Sequence, residues 1–109
     1  MAEWINVISV NDLQEGMHTV VDLDDVSLLL VNIGGEFHAI ENLCSHDGGE
    51  LSGGEITGTE IICPRHGSHF CLKTGAVLSA PAFEDIDTYA VRVVGDRVQI
   101  FNDPERTLE

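Results

Sequence analysis

The sequence predicts an antiparallel all-β domain. Short apolar or alternating runs follow one another along most of the chain, and two-residue turns that contain glycine separate some of them. The chain has 109 residues, 43% of them hydrophobic, which is enough for one core. We therefore expect a single domain over residues 1–109.

The strand-like runs are, in chain order, WINVI (4–8), HTVVDL (18–23), VSLLLVNI (26–33), EFHAI (36–40), TEIIC (59–63), the neighbourhood of HFCL (69–72), TYAVRVV (88–94) and RVQIF (97–101). Their apolar and β-branched residues are typical of strands. Gly34-Gly35 and Gly95-Asp96 each join two of these runs. Two-residue loops of this composition predict β-hairpins.

Two segments depart from the strand pattern. A short helical turn is predicted from Asn11 to Glu15, where Ser9 and Asp12 have the spacing of a capping box and Gly16 is a stop signal. Residues 45–58 contain five glycines and show no strand pattern. Cysteine and histidine flank this segment, which favours a loop whose backbone turns sharply around something.

The charge of the chain is strongly negative. It has 19 acidic residues against 5 lysines and arginines, for a formal charge of −14. Such a surface repels phosphate backbones and anionic membranes, and it favours a basic protein partner. The first residues lack the pattern of a signal peptide, and no apolar run approaches the roughly 18 to 20 residues that cross a bilayer. We expect a cytoplasmic protein that binds neither nucleic acid nor membrane.

Four residues form the most specific motif. Cys44, His46, Cys63 and His66 follow the pattern C-x-H-x16-C-x-x-H. Each half places a thiolate and an imidazole on one tight loop, and the two loops together offer two sulfur and two nitrogen ligands. Three interpretations are open: unconnected residues, a tetrahedral zinc site and a Rieske [2Fe–2S] centre. Zinc fingers usually pair Cys with Cys and His with His, whereas here each half is mixed.

The sequence resembles the Rieske family. CSHDGG (44–49) is similar to the first cluster-binding loop of that family, CPRHGSHF (63–70) to the second, and APAF (80–83) to its proline-containing third loop. The resemblance implies an antiparallel Rieske β-sandwich with a small cluster-binding subdomain formed by two loops, at about 42–50 and 62–71. It also implies one [2Fe–2S] cluster, with two thiolates on one iron and two histidines on the other.

The resemblance assigns Cys44 and Cys63 as thiolate ligands and His46 and His66 as imidazole ligands at the solvent-facing end of the cluster. The remaining residues of these types are His18, His38, His69 and Cys71. The first two are expected to be structural, and His69 is expected to support the site or lie at the surface. Cys71 is expected to be a buried free thiol.

A low reduction potential is expected. High-potential relatives have a disulfide between the loops and serine and tyrosine hydroxyls that donate to the cluster sulfurs. Here the disulfide positions are Gly49 and Arg65, the serine is kept as Ser68, and the tyrosine position is Phe70. Without the bridge and the phenol, and with an acidic surface, we expect a potential near the low end of the Rieske range, about −150 mV.

The function implied by the resemblance is that of a Rieske ferredoxin. Such a protein is an electron-transfer component without catalytic residues of its own. It carries one electron at a time from a flavoprotein NAD(P)H reductase to a terminal aromatic-ring-hydroxylating oxygenase. Asp47 and Glu50 are candidate docking charges for transient, electrostatic contacts with these partners. An alternative is the small Rieske subunit of an NADH-dependent nitrite reductase.

Overall fold

The computed structural model of the chain describes residues 3–23, 26–45 and 48–105. Nine β-strands run through these residues: β1 Trp4–Ser9, β2 His18–Leu23, β3 Val26–Ile33, β4 Glu36–Glu41, β5 Glu55–Thr57, β6 Glu60–Ile62, β7 His69–Cys71, β8 Thr88–Val94 and β9 Arg97–Glu105. Every pairing between these strands is antiparallel, so the predicted fold class is confirmed. In the described ranges, no helix is long and apolar enough to span a bilayer.

Six strands form the larger sheet, in the order β1-β9-β8-β4-β3-β2. Gly34-Gly35 joins β3 to β4 and Gly95-Asp96 joins β8 to β9, so both predicted hairpins are confirmed. The three glycines have φ values of 60°, 93° and 63°. Such left-handed conformations favour glycine, which explains its place in these tight turns.

Strand β3 lies between two apolar clusters. Residues 28–32 are all buried, although side chains alternate between the two faces of a strand. Leu29 and Val31 pack on one side, with the smaller sheet and its loops. Leu28 and Leu30 pack on the other side, with residues of β8 and β9. Because β9 is not hydrogen-bonded to β3, the larger sheet must curl until its distant strands meet.

The smaller sheet has three strands, in the order β5-β6-β7. Strand β5, at residues 55–57, was not predicted: the expectation that residues 45–58 contain no strand is wrong here. Its three residues are too few to show alternation, and only Ile56 is apolar. The strand forms because the two-residue turn Gly58-Thr59, with Gly58 at a φ of 61°, folds it back onto β6.

The predicted helical turn is present but shorter. It is a single 3₁₀ turn, Val10–Asp12, and Ser9 and Asp12 form the predicted capping box. The Asp12 carboxylate accepts a hydrogen bond from the Ser9 amide at 3.2 Å. The predicted extension to Glu15 is wrong, because the backbone becomes extended at Leu13, whose side chain is buried in the core.

Candidate metal centre

Two loops beside the smaller sheet carry the cysteines of the motif. The first loop follows β4 from residue 42, and the second joins β6 to β7. Cys44 and Cys63 stand at the start of the turns in these loops, and only 0% and 2% of their surfaces are exposed. Neither forms a disulfide bond, and both belong to the apolar cluster beneath the smaller sheet. The structure therefore brings two of the predicted ligands into one buried region.

Each of these cysteines begins the same backbone turn. The Cys44 amide donates to the carbonyl five residues later at 2.7 Å, and its own carbonyl accepts from the Gly48 amide at 2.8 Å. The Cys63 amide makes the equivalent bond at 2.8 Å, and its carbonyl accepts from Gly67 at 3.1 Å. Gly48 and Gly67 have φ values of 74° and 78°, which favour glycine. Both turns therefore share the pattern C-x-x-x-G, a cysteine followed four residues later by a glycine.

A third copy of this turn begins at Cys71, at the end of β7. Its amide donates to the carbonyl five residues later at 2.8 Å, and its carbonyl accepts from Gly75, which has a φ of 76°, at 2.8 Å. The motif C-x-x-x-G therefore occurs as CSHDG, CPRHG and CLKTG. Sequence reasoning missed this repeat, although the spacing was visible. The third copy contains no histidine, which separates it chemically from the other two.

Cys71 is only partly buried, so the expectation of a buried thiol is wrong. Burial raises the pKa of this thiol, but hydrogen bonds from the Thr74 hydroxyl and from the Lys73 and Thr74 amides lower it below the ordinary value. The turn produces this effect because it directs two backbone amides at the sulfur.

The side chains of Cys44 and Cys63 are in contact. The two side chains are hydrogen-bonded to each other, and the Cys63 sulfur also accepts hydrogen bonds from the amides of Arg65 and His66. Burial raises the pKa of the Cys63 thiol, but these bonds and the charge of Arg65 lower it below the ordinary value. Iron binds the thiolate form, so two neighbouring cysteines, of which Cys63 carries a stabilised negative charge, are a donor set that fits one iron of a [2Fe–2S] cluster.

Asn42 closes the base of the first loop. Its side-chain oxygen accepts hydrogen bonds from the amides of Leu51 and Ser52, both at 2.9 Å. Its side-chain nitrogen donates to the Ser27 hydroxyl at 3.3 Å and to the Glu50 carboxylate at 3.1 Å. Asn42 is buried and uses both ends of its amide. It therefore holds together the two ends of the segment that contains Cys44.

Ser68 and Phe70 lie beneath the second loop, and both are fully buried. The Ser68 hydroxyl oxygen accepts a hydrogen bond from the Ala82 amide at 2.9 Å. A hydroxyl also has one proton to donate, so Ser68 can still serve a sulfur acceptor. Phe70 pairs with Ile61 in the smaller sheet and contributes only apolar surface. Of the two positions at which high-potential relatives have a hydroxyl, only Ser68 has one in this chain.

The third predicted loop, residues 80–83, is bonded to the second loop directly and to the first loop through the next residue, Glu84. Its Ala82 amide is bonded to the second loop, and the Ser45 hydroxyl of the first loop donates to the carbonyl of Glu84. Phe83 lies between these two attachment points, with 79% of its surface exposed. The most exposed large hydrophobic side chain among the described residues is therefore adjacent to both cysteine-bearing loops.

His66 is exposed on the second loop, three residues after the buried Cys63. His46 and Asp47 lie outside the residues that the structure describes. Within the described ranges, no three His, Cys, Asp or Glu side chains are grouped so as to hold one metal ion. A two-iron cluster with two protein ligands on each iron requires no such group. The ligand assignment therefore remains a prediction, supported by the adjacent sulfurs and the neighbouring exposed imidazole.

The other histidines have different contacts. His69 Nδ1 is 2.8 Å from the Glu60 carboxylate, which orients the ring within the smaller sheet. His18 Nε2 accepts a hydrogen bond from the Gly53 amide at 3.3 Å and so connects β2 to the glycine-rich loop. His38 is 3.4 Å from a glutamate on its own strand. The contacts of His18 and His38 agree with the structural roles expected for them. His69, which was expected to support the site or lie at the surface, is partly buried and contacts the smaller sheet.

Residues 3–90 match the Rieske [2Fe–2S] domain family, and the chain belongs to this family. The chain is 37% identical over 98 residues to the ferredoxin component of the naphthalene 1,2-dioxygenase system of Pseudomonas aeruginosa, covering 90% of this chain and 94% of the relative. It is 40% identical over 92 residues to the 3-phenylpropionate/cinnamic acid dioxygenase ferredoxin subunit of Shigella flexneri, covering 84% and 86%.

A solved complex of reduced oxygenase and oxidized ferredoxin in carbazole 1,9a-dioxygenase contains a chain of the same fold. It superposes with a TM-score of 0.90 at 28% identity, covering 95% of this chain and 97% of that chain. The expected Rieske fold is therefore confirmed, and family membership makes a Rieske [2Fe–2S] cluster the cofactor of this site.

Proposed function

We propose that this chain is a one-electron carrier, the ferredoxin of a multicomponent aromatic-ring-hydroxylating dioxygenase system. It takes electrons from a flavoprotein NAD(P)H reductase and delivers them to a terminal oxygenase. The observation that carries the proposal is a buried, adjacent pair of cysteine sulfurs beside an exposed histidine, in a Rieske chain whose relatives are dioxygenase ferredoxins. The proposal includes a single domain over residues 1–109 and a cytoplasmic location.

The proposed ligands are Cys44 and Cys63 for one iron and His46 and His66 for the other. Once bound, the [2Fe–2S] cluster supplies the reversible uptake of a single electron. Two thiolates and two neutral imidazoles leave the oxidised site without net charge, whereas four thiolates would leave it at −2. The mixed ligands therefore make the added electron less costly and raise the potential.

The protein contributes an asymmetric environment. On one side, the sulfurs lie in an apolar cluster that includes Phe70 and Leu72, so water is excluded from the thiolates. On the other side, His66 reaches the surface, where a partner can approach it closely. Hydrogen bonds from the amides of Arg65 and His66 stabilise negative charge on the Cys63 sulfur. This arrangement suits an electron carrier, because it stabilises the site while leaving one end accessible.

Two features of the surface suit transient partners. The formal charge of −14 attracts a basic surface and accelerates encounter. Glu50, a predicted docking charge, accepts hydrogen bonds from Asn42 and Ser52, so its carboxylate also has a structural role. The exposed Phe83 offers an apolar contact beside the site, and aromatic side chains are frequent anchors of interfaces.

The alternative role in a nitrite reductase is not favoured. Both relatives compared above are ferredoxins of dioxygenase systems, at 37% and 40% identity. A subunit of a larger enzyme would form a stable complex with it, whereas a carrier must leave one partner to reach the other. The lifetime of the complex therefore separates the two functions.

Reconstitution with separate partners tests the proposal. The holoprotein is mixed with NADH and with the reductase and oxygenase of a naphthalene dioxygenase system. We expect reduction of the holoprotein only when the reductase is present, and reoxidation when oxygenase and naphthalene are added. The variant His66→Ala should abolish transfer, and His38→Ala should retain it.

Salt provides a second test of the same system. Turnover should fall as NaCl rises from about 50 to 500 mM, because the shorter screening length weakens attraction between opposite charges. Failure of the holoprotein to accept electrons from any flavoprotein reductase would contradict the proposal. So would its isolation in a stable complex with a large nitrite-reducing enzyme.

A further inference from the structure

Arg65 connects the two loops that bear the cysteines. Its Nη1 donates to the carbonyl oxygen of Glu50 in the first loop at 2.7 Å. Its Nη2 donates to the Sγ of Cys63 in its own loop at 3.5 Å, which is within range for a sulfur acceptor. One guanidinium group therefore contacts the backbone of one loop and the predicted ligand of the other.

Gly49 provides the space in which this guanidinium lies. A Cβ atom at residue 49 would stand 2.4 Å from Cζ and 2.6 Å from Nε and Nη2 of Arg65. The φ of Gly49 is outside the left-handed region, so its backbone does not require glycine. The neighbouring Gly48 is the opposite case, with a φ of 74° and open space around its Cα. Gly49 is therefore a glycine because Arg65 packs against it.

We propose that Arg65 is a positioning residue of the [2Fe–2S] site. Its guanidinium clamps the first loop onto the second, and its N–H bond to Cys63 Sγ makes the site easier to reduce. This proposal rests on the proposed function, since it takes Cys44 and Cys63 as ligands. Hydrogen bonds to ligand sulfur stabilise the extra negative charge of the reduced state and raise the potential.

The planar fork of arginine is suited to this role. It presents several donors in fixed directions, so one side chain can serve two acceptors at once. The amine of lysine is a point donor on a flexible stem, and glutamine has a shorter reach and no charge. An arginine that only stabilised the loops would change how firmly the cluster is held, but would not change the reduction potential. The potential is therefore the readout that separates the two roles.

The experiment compares midpoint potentials of holoproteins by redox titration. Arg65→Gln should weaken electron affinity threefold to tenfold, about 30 to 60 mV at 59 mV per tenfold for one electron. It should also speed loss of the cluster to a chelator about threefold. Arg65→Lys should fall between Arg65→Gln and the parent chain. The matched control is Arg92→Gln, which removes the same charge from an arginine that packs over Trp4 at 4.1 Å, and it should leave the potential unchanged.

Gly49→Ala displaces the guanidinium without removing it. Because the clash is with the far end of a flexible side chain, we expect this variant to fold and to lower the potential in the same direction as Arg65→Gln. In an Arg65→Ala background, Gly49→Ala should have a much smaller effect, since the three atoms nearest to the added Cβ all belong to Arg65. If Gly49→Ala has the same effect with and without Arg65, then Arg65 does not hold the two loops together.

The two proposals fail in different ways. If the parent chain binds no [2Fe–2S] cluster, the ligand assignment is wrong. If it binds the cluster, but Arg65→Gln has the potential of Arg92→Gln, only the role of Arg65 is overturned.

Discussion

Replacing Asn42 with alanine removes the side chain that closes the base of the first loop. The change leaves the amides of Leu51 and Ser52 without their acceptor and removes a donor from Glu50. Leu51 is fully buried, so water cannot replace the acceptor there. The loop that carries Cys44 should therefore lose its fixed end.

The magnitude follows from these contacts. A buried amide left without a partner costs about 1–3 kcal/mol, and the bond to the partly exposed Ser52 contributes about 0.5–1.5 kcal/mol. We expect Asn42→Ala to lower the free energy of unfolding by about 2–4 kcal/mol. With a urea dependence of about 2 kcal/mol per molar, the unfolding midpoint should fall by about 1–2 M.

The assay is urea unfolding of the holoprotein, followed by circular dichroism and by the visible absorbance of the cluster. The matched control is Asn102→Ala, because Asn102 also accepts a backbone amide, that of Glu3 at 2.8 Å, but at an exposed place on the larger sheet. It should cost less than about 1 kcal/mol and leave cluster retention unchanged. Equal losses of stability in the two variants would show that Asn42 does not hold the ends of the first loop together.

Three further changes test other parts of the site. Ser68→Ala should lower the midpoint potential, and it should lower the free energy of unfolding by about 1–3 kcal/mol because the buried Ala82 amide loses its acceptor. Ser45→Ala, which removes a partly exposed hydroxyl of the first loop, should leave the potential unchanged. Phe83→Ala should preserve the potential but weaken docking to the oxygenase about tenfold, as measured by stopped-flow reduction. Val93→Ala, which removes an exposed apolar side chain from the larger sheet, should leave docking unchanged. Equal effects of the two variants would show that Phe83 is not part of the docking surface. The rate at which iodoacetamide alkylates Cys71 should reach half its maximum at a pH below the ordinary thiol pKa, since the thiolate is the nucleophile. A half-maximal rate at or above the ordinary pKa would contradict the lowered pKa of Cys71.

The regular strands could be predicted because local chemistry determines them. Strands β2, β3 and β8 have the predicted bounds, since apolar and β-branched residues fill them and glycine turns end β3 and β8. Strand β5 was missed because three residues carry too little pattern. Strand β9 extends past the predicted run to Glu105, because a bulge lets it pair again with β8, opposite Tyr89. Pairing of that kind depends on tertiary contacts that sequence periodicity does not report.

The ligand motif was predictable because its spacing is specific, but its supports were not. Asn42 is separated by nine and ten residues from the amides it holds, so its role appears only when the loop is folded. The sequence predicted only that no disulfide joins positions 49 and 65. The structure shows that the two residues are in contact, because the Arg65 guanidinium packs where a side chain at residue 49 would stand. The repeated C-x-x-x-G turn was visible in sequence and went unrecognised because only two copies contain histidine.

Pulsed electron paramagnetic resonance of the dithionite-reduced holoprotein, with ¹⁵N-labelled histidine, detects the histidine ligands of the cluster directly. We expect two iron atoms per chain, two histidine nitrogens coupled to the reduced cluster, and loss of one coupling when either His46 or His66 is replaced by cysteine. We also expect a midpoint below zero, near about −150 mV. A colourless protein that contains zinc, a cluster without histidine coupling, or a midpoint above zero would contradict these expectations.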